Sequence, residues 1–138
     1  MEKLKYSELH PLKPNLINEQ LLTKDEFINK FNNFQWVELL KLQLSAKELY
    51  GSPSLNIENE KGDGIAVSIV GNLHEYEFYV CYKRPTTYKK SKWFGLVTYD
   101  FYDKDFCSVI PGQTKEDAFE AFMLFYEKDY EKIEEKWG

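Results

Sequence analysis

The chain has 138 residues and a formal charge of −5, and 43% of it is hydrophobic and 17% aromatic. A chain of this length and richness is one domain's worth that buries roughly two thirds of its unfolded surface, which excludes an intrinsically disordered protein. Its opening residues lack the apolar run of a signal peptide, and no stretch approaches the about twenty apolar residues of a membrane helix, so a soluble cytoplasmic protein with no membrane partner is expected.

The charge is unevenly spread. Lys83, Arg84, Lys89, Lys90 and Lys92 follow one another with no acid between them, leaving −10 on the rest of the chain. An acidic body disfavours nucleic acid and favours a basic protein partner through long-range steering.

In chain order, residues 1–22 contain Pro11 and Pro14 and read as an extended leader over the domain, with Leu16, Ile17, Leu21 and Leu22 tucked in. Thr23 and Glu26 have the spacing of a capping box, opening a short helix with Phe27, Ile28 and Phe31 on one side and an end near Asn32 and Asn33. Over residues 36–50, Trp36, Leu39, Leu40 and Leu44 fit a helix stopped by Gly51 and Pro53. Alternation of Leu40, Leu42 and Leu44 with Lys41 and Gln43 leaves a strand open as the rival reading.

Residues 54–110 read as an antiparallel meander of about five strands. Leu55 and Ile57 alternate with Asn56 and Glu58, and Lys61–Gly64 supplies a hairpin turn into a strand over residues 65–70. Gly71–His74 turns the chain into a strand over 75–82, in which Tyr76, Phe78, Val80 and Tyr82 alternate with Glu75, Glu77, Tyr79 and Cys81. Residues 84–92 form a basic loop and residues 93–102 the next strand, and Asp103–Asp105 connects to a short strand over 106–110. Thr114 then caps a helix over residues 114–137, with Phe119, Phe122, Met123, Tyr126, Tyr130, Ile133 and Trp137 at helical spacing for nearly six turns. The expected fold is therefore a single α+β domain, an antiparallel sheet with its helices packed on one face.

Motifs that carry chemistry are scarce. Glu75 and Glu77 lie about 6.5–7 Å apart on one strand face, close enough to share a cation, but two such carboxylates are ordinarily the solvated side of a sheet. His74 precedes Glu75 without the second histidine of a zinc motif, and His10 is the only other histidine in the chain. Cys81 and Cys107 lie in proposed strands and read as two free, packed thiols. Gly62–Gly64 is too short for a phosphate loop. No catalytic residue, cofactor or metal is expected.

If Phe78, Val80, Val97, Tyr99 and Phe101 face the helices, the opposite sheet face presents Asn56, Glu58, Ser68, Glu75, Glu77, Tyr79, Thr98, Asp100 and Tyr102. Carboxylates studded with tyrosines suit a basic protein, since aromatic anchors supply contact area and charges speed association. Glu58, Glu75, Glu77, Tyr79, Asp100 and Tyr102 are the expected partner-binding residues.

In size, acidity and α+β organisation the whole chain resembles the immunity proteins of bacterial polymorphic toxin systems, although no diagnostic motif carries family residues over. The resemblance implies a stoichiometric inhibitor that occludes the active site or substrate groove of a cognate toxin. The alternative is a small-molecule or enzymatic domain with a pocket between helices and sheet, lined by Trp36, Tyr76, Trp93 and Tyr126. A nucleic-acid adaptor using Lys83–Lys92 ranks third. Nothing in the sequence selects an oligomeric state.

Overall fold

The computed structural model describes residues 2–103 and 106–138. Among them run β1 (Leu4–Leu9), β2 (Ile17–Leu22), α1 (Lys24–Asn33), α2 (Trp36–Ser45), β3 (Ser54–Glu58), β4 (Gly64–Gly71), β5 (Tyr76–Lys83), β6 (Thr86–Lys92), β7 (Val97–Asp103), β8 (Cys107–Gln113), α3 (Lys115–Tyr126) and α4 (Tyr130–Trp137). Six strands make one antiparallel sheet in the order β2-β1-β3-β4-β5-β8, and β6 and β7 form a separate two-stranded sheet. The architecture is α+β.

Period-two alternation sets the buried face of the large sheet. Tyr6, Ile57, Ile65 and Tyr82 stand in one row across β1, β3, β4 and β5, and Leu55, Val67, Val80 and Ile110 in the next across β3, β4, β5 and β8. The helices close over these rows with Phe27 and Phe31 of α1, Trp36 and Leu40 of α2, Phe122 and Phe125 of α3, and Ile133 and Trp137 of α4. Phe27 is the hub, its ring centroid 4.6 Å from that of Phe122 and 5.6 Å from that of Tyr126. Burying each such side chain contributes about 1.5–3 kcal/mol.

Both expected helix starts are present. Thr23 and Glu26, and likewise Thr114 and Asp117, exchange reciprocal side-chain to backbone hydrogen bonds. Four other features depart from expectation. Residues 1–22 contain an antiparallel hairpin in place of an extended leader; Leu22 is buried, while Leu16 and Leu21 are exposed. Helix α2 settles the helix-or-strand question over 36–50 in favour of helix, but stops at Ser45. Leu40 is its last buried residue, Leu44 and Leu49 have no core beneath them, and the Tyr50 amide donates to the Pro11 carbonyl on the way back into β3.

The long C-terminal helix is two helices. Lys128 takes φ 60°, with its amide donating to the Phe125 carbonyl and that of Asp129 to the Leu124 carbonyl, a Schellman arrangement with lysine where glycine is usual. The break turns α4 so that Ile133 and Trp137 reach the core, and Trp137 donates to Gln113 at 3.0 Å. Burying those two side chains outweighs the about 1–2 kcal/mol that a left-handed lysine costs.

The largest correction concerns residues 84–103. The expected basic loop is strand β6, and the strand expected next to β5 is β7, which pairs with β6 while β8 takes the place beside β5. Threonines and Tyr88 give β6 its strand propensity, and lysines are at home on a two-stranded ribbon with water on both sides. The expected connection through Lys104 and Asp105 lies outside the described residues.

Candidate functional site

The β6–β7 hairpin leaves the body between two neighbours of the large sheet and is exposed over most of its length on both faces. Its register places Tyr88 opposite Phe101, Lys90 opposite Tyr99 and Lys92 opposite Val97 on one side. Lys90 Nζ sits 3.8 Å from the Phe101 ring centroid and Lys92 Nζ 5.4 Å from that of Tyr99, so cations lie over the aromatic stripe. On the other side Thr87 faces Tyr102, Ser91 faces Thr98, and Lys89 lies 3.7 Å from Asp100.

At the tip, the Leu96 amide donates to the Trp93 carbonyl at 3.2 Å, closing a turn whose central residues, Phe94 and Gly95, have φ 59° and 84°. The last strand pair is Lys92 with Val97, so the loop is four residues long and takes positive φ at three of them, which Gly95 adopts without cost. Phe94 does not, and neither does Trp93 at φ 54°. The turn thus holds Trp93, Phe94 and Leu96 at 69%, 107% and 84% exposure, three large apolar side chains turned into water beyond Lys89, Lys90 and Lys92.

The root of the hairpin is fastened by Arg84. Its amide donates to the Phe106 carbonyl at 2.8 Å, and its guanidinium donates to the Tyr82 carbonyl and the Glu134 carboxylate while lying 4.7 Å from the Tyr82 ring. Beside it, Cys81 and Cys107 lie on adjacent strands. Burial first, then hydrogen bonding and electrostatic interaction with Cys107, push the Cys81 thiol up to about 12 against the opposing pull of Lys83 and Arg84. Cys107 is exposed rather than packed.

The structure divides the six expected partner-binding residues. Glu58, Glu77 and Tyr79 share the helix-free face of the large sheet with Asn56 and Ser68, Glu75 lies in the turn before β5, and Asp100 and Tyr102 belong to the hairpin with Thr98. Contrary to the expectation from their alternation, Val97, Tyr99 and Phe101 do not face the helices; they form the hairpin's own stripe. Nor is the face a field of unopposed carboxylates. Glu58 pairs with Lys83 at 3.5 Å across β4, just as Asp100 pairs with Lys89.

The expected pocket is half present. Trp36 and Tyr76 line a recess of about 340 Å³ with Phe78, Gln113 and Lys115, whereas Trp93 is at the hairpin tip and Tyr126 donates to the Leu22 carbonyl. The Trp36 indole N–H is the one buried side-chain polar atom among the described residues without a hydrogen-bond partner. Among the described residues no group of three or more His, Cys, Asp or Glu side chains is placed to hold a metal ion, and no helix is long and apolar enough to cross a membrane. No protein-family model, curated protein or solved structure matches the chain.

Proposed function

We propose that this chain is a non-catalytic protein-binding module of the immunity-protein type, which neutralises a cognate toxin by inserting the β6–β7 hairpin into the toxin's active site or substrate groove. One observation carries the reading: Trp93, Phe94 and Leu96 are held in water at the end of a narrow ribbon, two of them with positive φ. Apolar exposure costs stability that is recovered when the tip enters an apolar pocket, and the positive-φ backbone of Trp93 and Phe94 holds that surface in place beforehand. Narrow ribbons enter clefts, and aromatic side chains at the centre of an interface dominate its affinity. Lys90 and Lys92 behind the tip call for a groove with carboxylates on its rim and an apolar floor. That differs from the basic partner expected from net charge, because Glu58 and Asp100, which supported that expectation, have lysines beside them.

The test begins with copurification from the native cell and identification of the partner by mass. Affinity for the purified partner is then measured with a Trp93→Ala/Phe94→Ala double variant and with a Glu58→Lys/Glu75→Lys/Glu77→Lys variant. Each hot-spot truncation costs about 2 kcal/mol or more, so the tip variant is expected to bind at least about 100-fold more weakly with its melting temperature retained. Affinity unchanged in the tip variant and lost in the sheet-face variant would move the interface to the sheet.

The small-molecule reading keeps one observation in its favour, the unpartnered Trp36 N–H beside an aromatic recess. It predicts a small molecule bound to the protein in native mass spectra and displaced by Tyr76→Ala. The hairpin reading predicts protein-only mass.

A further inference from the structure

Cys81 and Cys107 flank the hairpin in sequence and meet at its root. Cys81 is in the last turn of alternation of β5 and Cys107 is the first residue of β8, so everything between them, β6 and β7 included, lies in the loop that a bond between them would close. Cys81 stands opposite Val109, and Cys107 opposite Lys83. Two residues offset on paired antiparallel strands, the cysteines share one sheet face as diagonal neighbours. Both are free thiols, and Cys107 is open to solvent while Cys81 is half-buried.

We propose that Cys81 and Cys107 form a thiol–disulfide modification site that reversibly staples the root of the β6–β7 hairpin. The oxidant is a small-molecule disulfide, RSSR. Cys107, the accessible thiol, attacks one sulfur of RSSR as its thiolate; the RS–SR bond breaks, a Cys107–SR bond forms, and one thiol leaves as RSH after taking a proton. Cys81 then attacks Cys107 Sγ; the Cys107–SR bond breaks, the Cys81–Cys107 bond forms, and a second RSH leaves. Two electrons pass from the protein thiols to RSSR, and their two protons end on the two RSH molecules.

Diagonal strand neighbours, about 7–8 Å apart, lie just beyond the about 7 Å between Cα atoms that a disulfide spans, so the bond needs a shift of β8 toward β5. The site permits it. β8 is an edge strand held by β5 alone within the sheet, and their register already slips between Phe78 and Val80. A bond that draws on such a shift is the reducible, regulatory kind rather than a permanent staple.

The closing step is governed by Cys81, whose burial keeps its thiol protonated at neutral pH. The groups acting on it are Lys83 and Arg84 from the β5 side and Cys107 from β8, and the first two oppose the shift without cancelling it. Closure is therefore expected to quicken steadily as pH rises from 7 to 9, as the thiolate fraction of Cys81 does.

The experiment treats the full chain with oxidised glutathione and follows intact mass and peptide maps. The wild type is expected to pass through a Cys107 glutathione adduct to a monomer about 2 Da lighter than the reduced chain, with Cys81 and Cys107 peptides joined, and to return on adding dithiothreitol. Cys81→Ser is expected to stop at the Cys107 adduct. A wild type that also stops at the adduct, or that joins two chains through Cys107, would overturn the proposal. Any effect of the staple on partner binding rests on the hairpin reading above. The two fail separately: the bond is read by mass with no partner present, and the hairpin by affinity of the reduced tip variant.

Discussion

Replacing Phe94 with asparagine separates what the hairpin tip does for the fold from what it does for a partner. The Phe94 side chain is fully exposed, so its removal forfeits no buried apolar area in the free protein. Its backbone, at φ 59°, occupies a conformation that costs an L-residue about 1–2 kcal/mol and that asparagine adopts readily. Phe94→Asn is therefore expected to raise stability by about 0.5–1 kcal/mol, a gain of about 2–4 °C in melting temperature for a domain of this size. Urea denaturation followed by circular dichroism gives the same quantity as a higher midpoint with an unchanged m-value. In the complex the sign reverses, because a truncated interface anchor costs about 2 kcal/mol, roughly a 30-fold weaker affinity. A midpoint that falls by the equivalent of 1 kcal/mol or more would refute the reasoning, since the ring would then be packed against something in the free protein.

Two further outcomes follow from the core. Lys128→Gly is expected to stabilise the protein by about 0.5–1 kcal/mol, as glycine suits the left-handed position between α3 and α4 and the exposed Lys128–Glu2 pair it removes is worth little; a urea midpoint at or below that of the wild type would refute this. Burial, followed for Tyr6 by its hydrogen bond to Glu8 and for Tyr126 by the charge of Glu26, raises both phenols above their ordinary value of 10.0. Their contribution is full below pH 10 and is lost above it, because the unfolded chain gives up protons that the folded chain keeps. Alkaline unfolding should therefore steepen above pH 10 by about 1.4 kcal/mol per pH unit for each tyrosine, with Tyr6→Phe removing one share. A pH profile flat to pH 12 would exclude it.

What the sequence made legible was local or periodic. The capping residues Thr23 and Thr114 act on amides three residues away, and Phe78, Val80 and Tyr82 face the core because alternate residues of a strand must. What it concealed was decided at long range. Alternation in Val97, Tyr99 and Phe101 marks a strand with an apolar side but does not say which strand it joins, and β8 competes for the place beside β5. The break at Lys128 is invisible to helical spacing, because the residues on both sides of it remain apolar at the right intervals. Of the six expected site residues, Asp100 and Tyr102 fall on the proposed binding element, for reasons unrelated to those that selected them. Trp93, Phe94 and Leu96 were missed because an aromatic run reads as buried. The signal that marks them is Gly95, a turn glycine between two alternating runs.

The way the hairpin joins the body separates two kinds of change. β5 and β8 are hydrogen-bonded neighbours, and β6 and β7 between them pair with each other in a separate sheet, so the hairpin adds no strand to the framework that carries it. Substitutions there leave the packing around Phe27 and Phe122 untouched, and substitutions in that packing leave the hairpin's outline alone. On the hairpin reading proposed above, the contact surface can be rewritten repeatedly without renegotiating how the rest of the molecule folds.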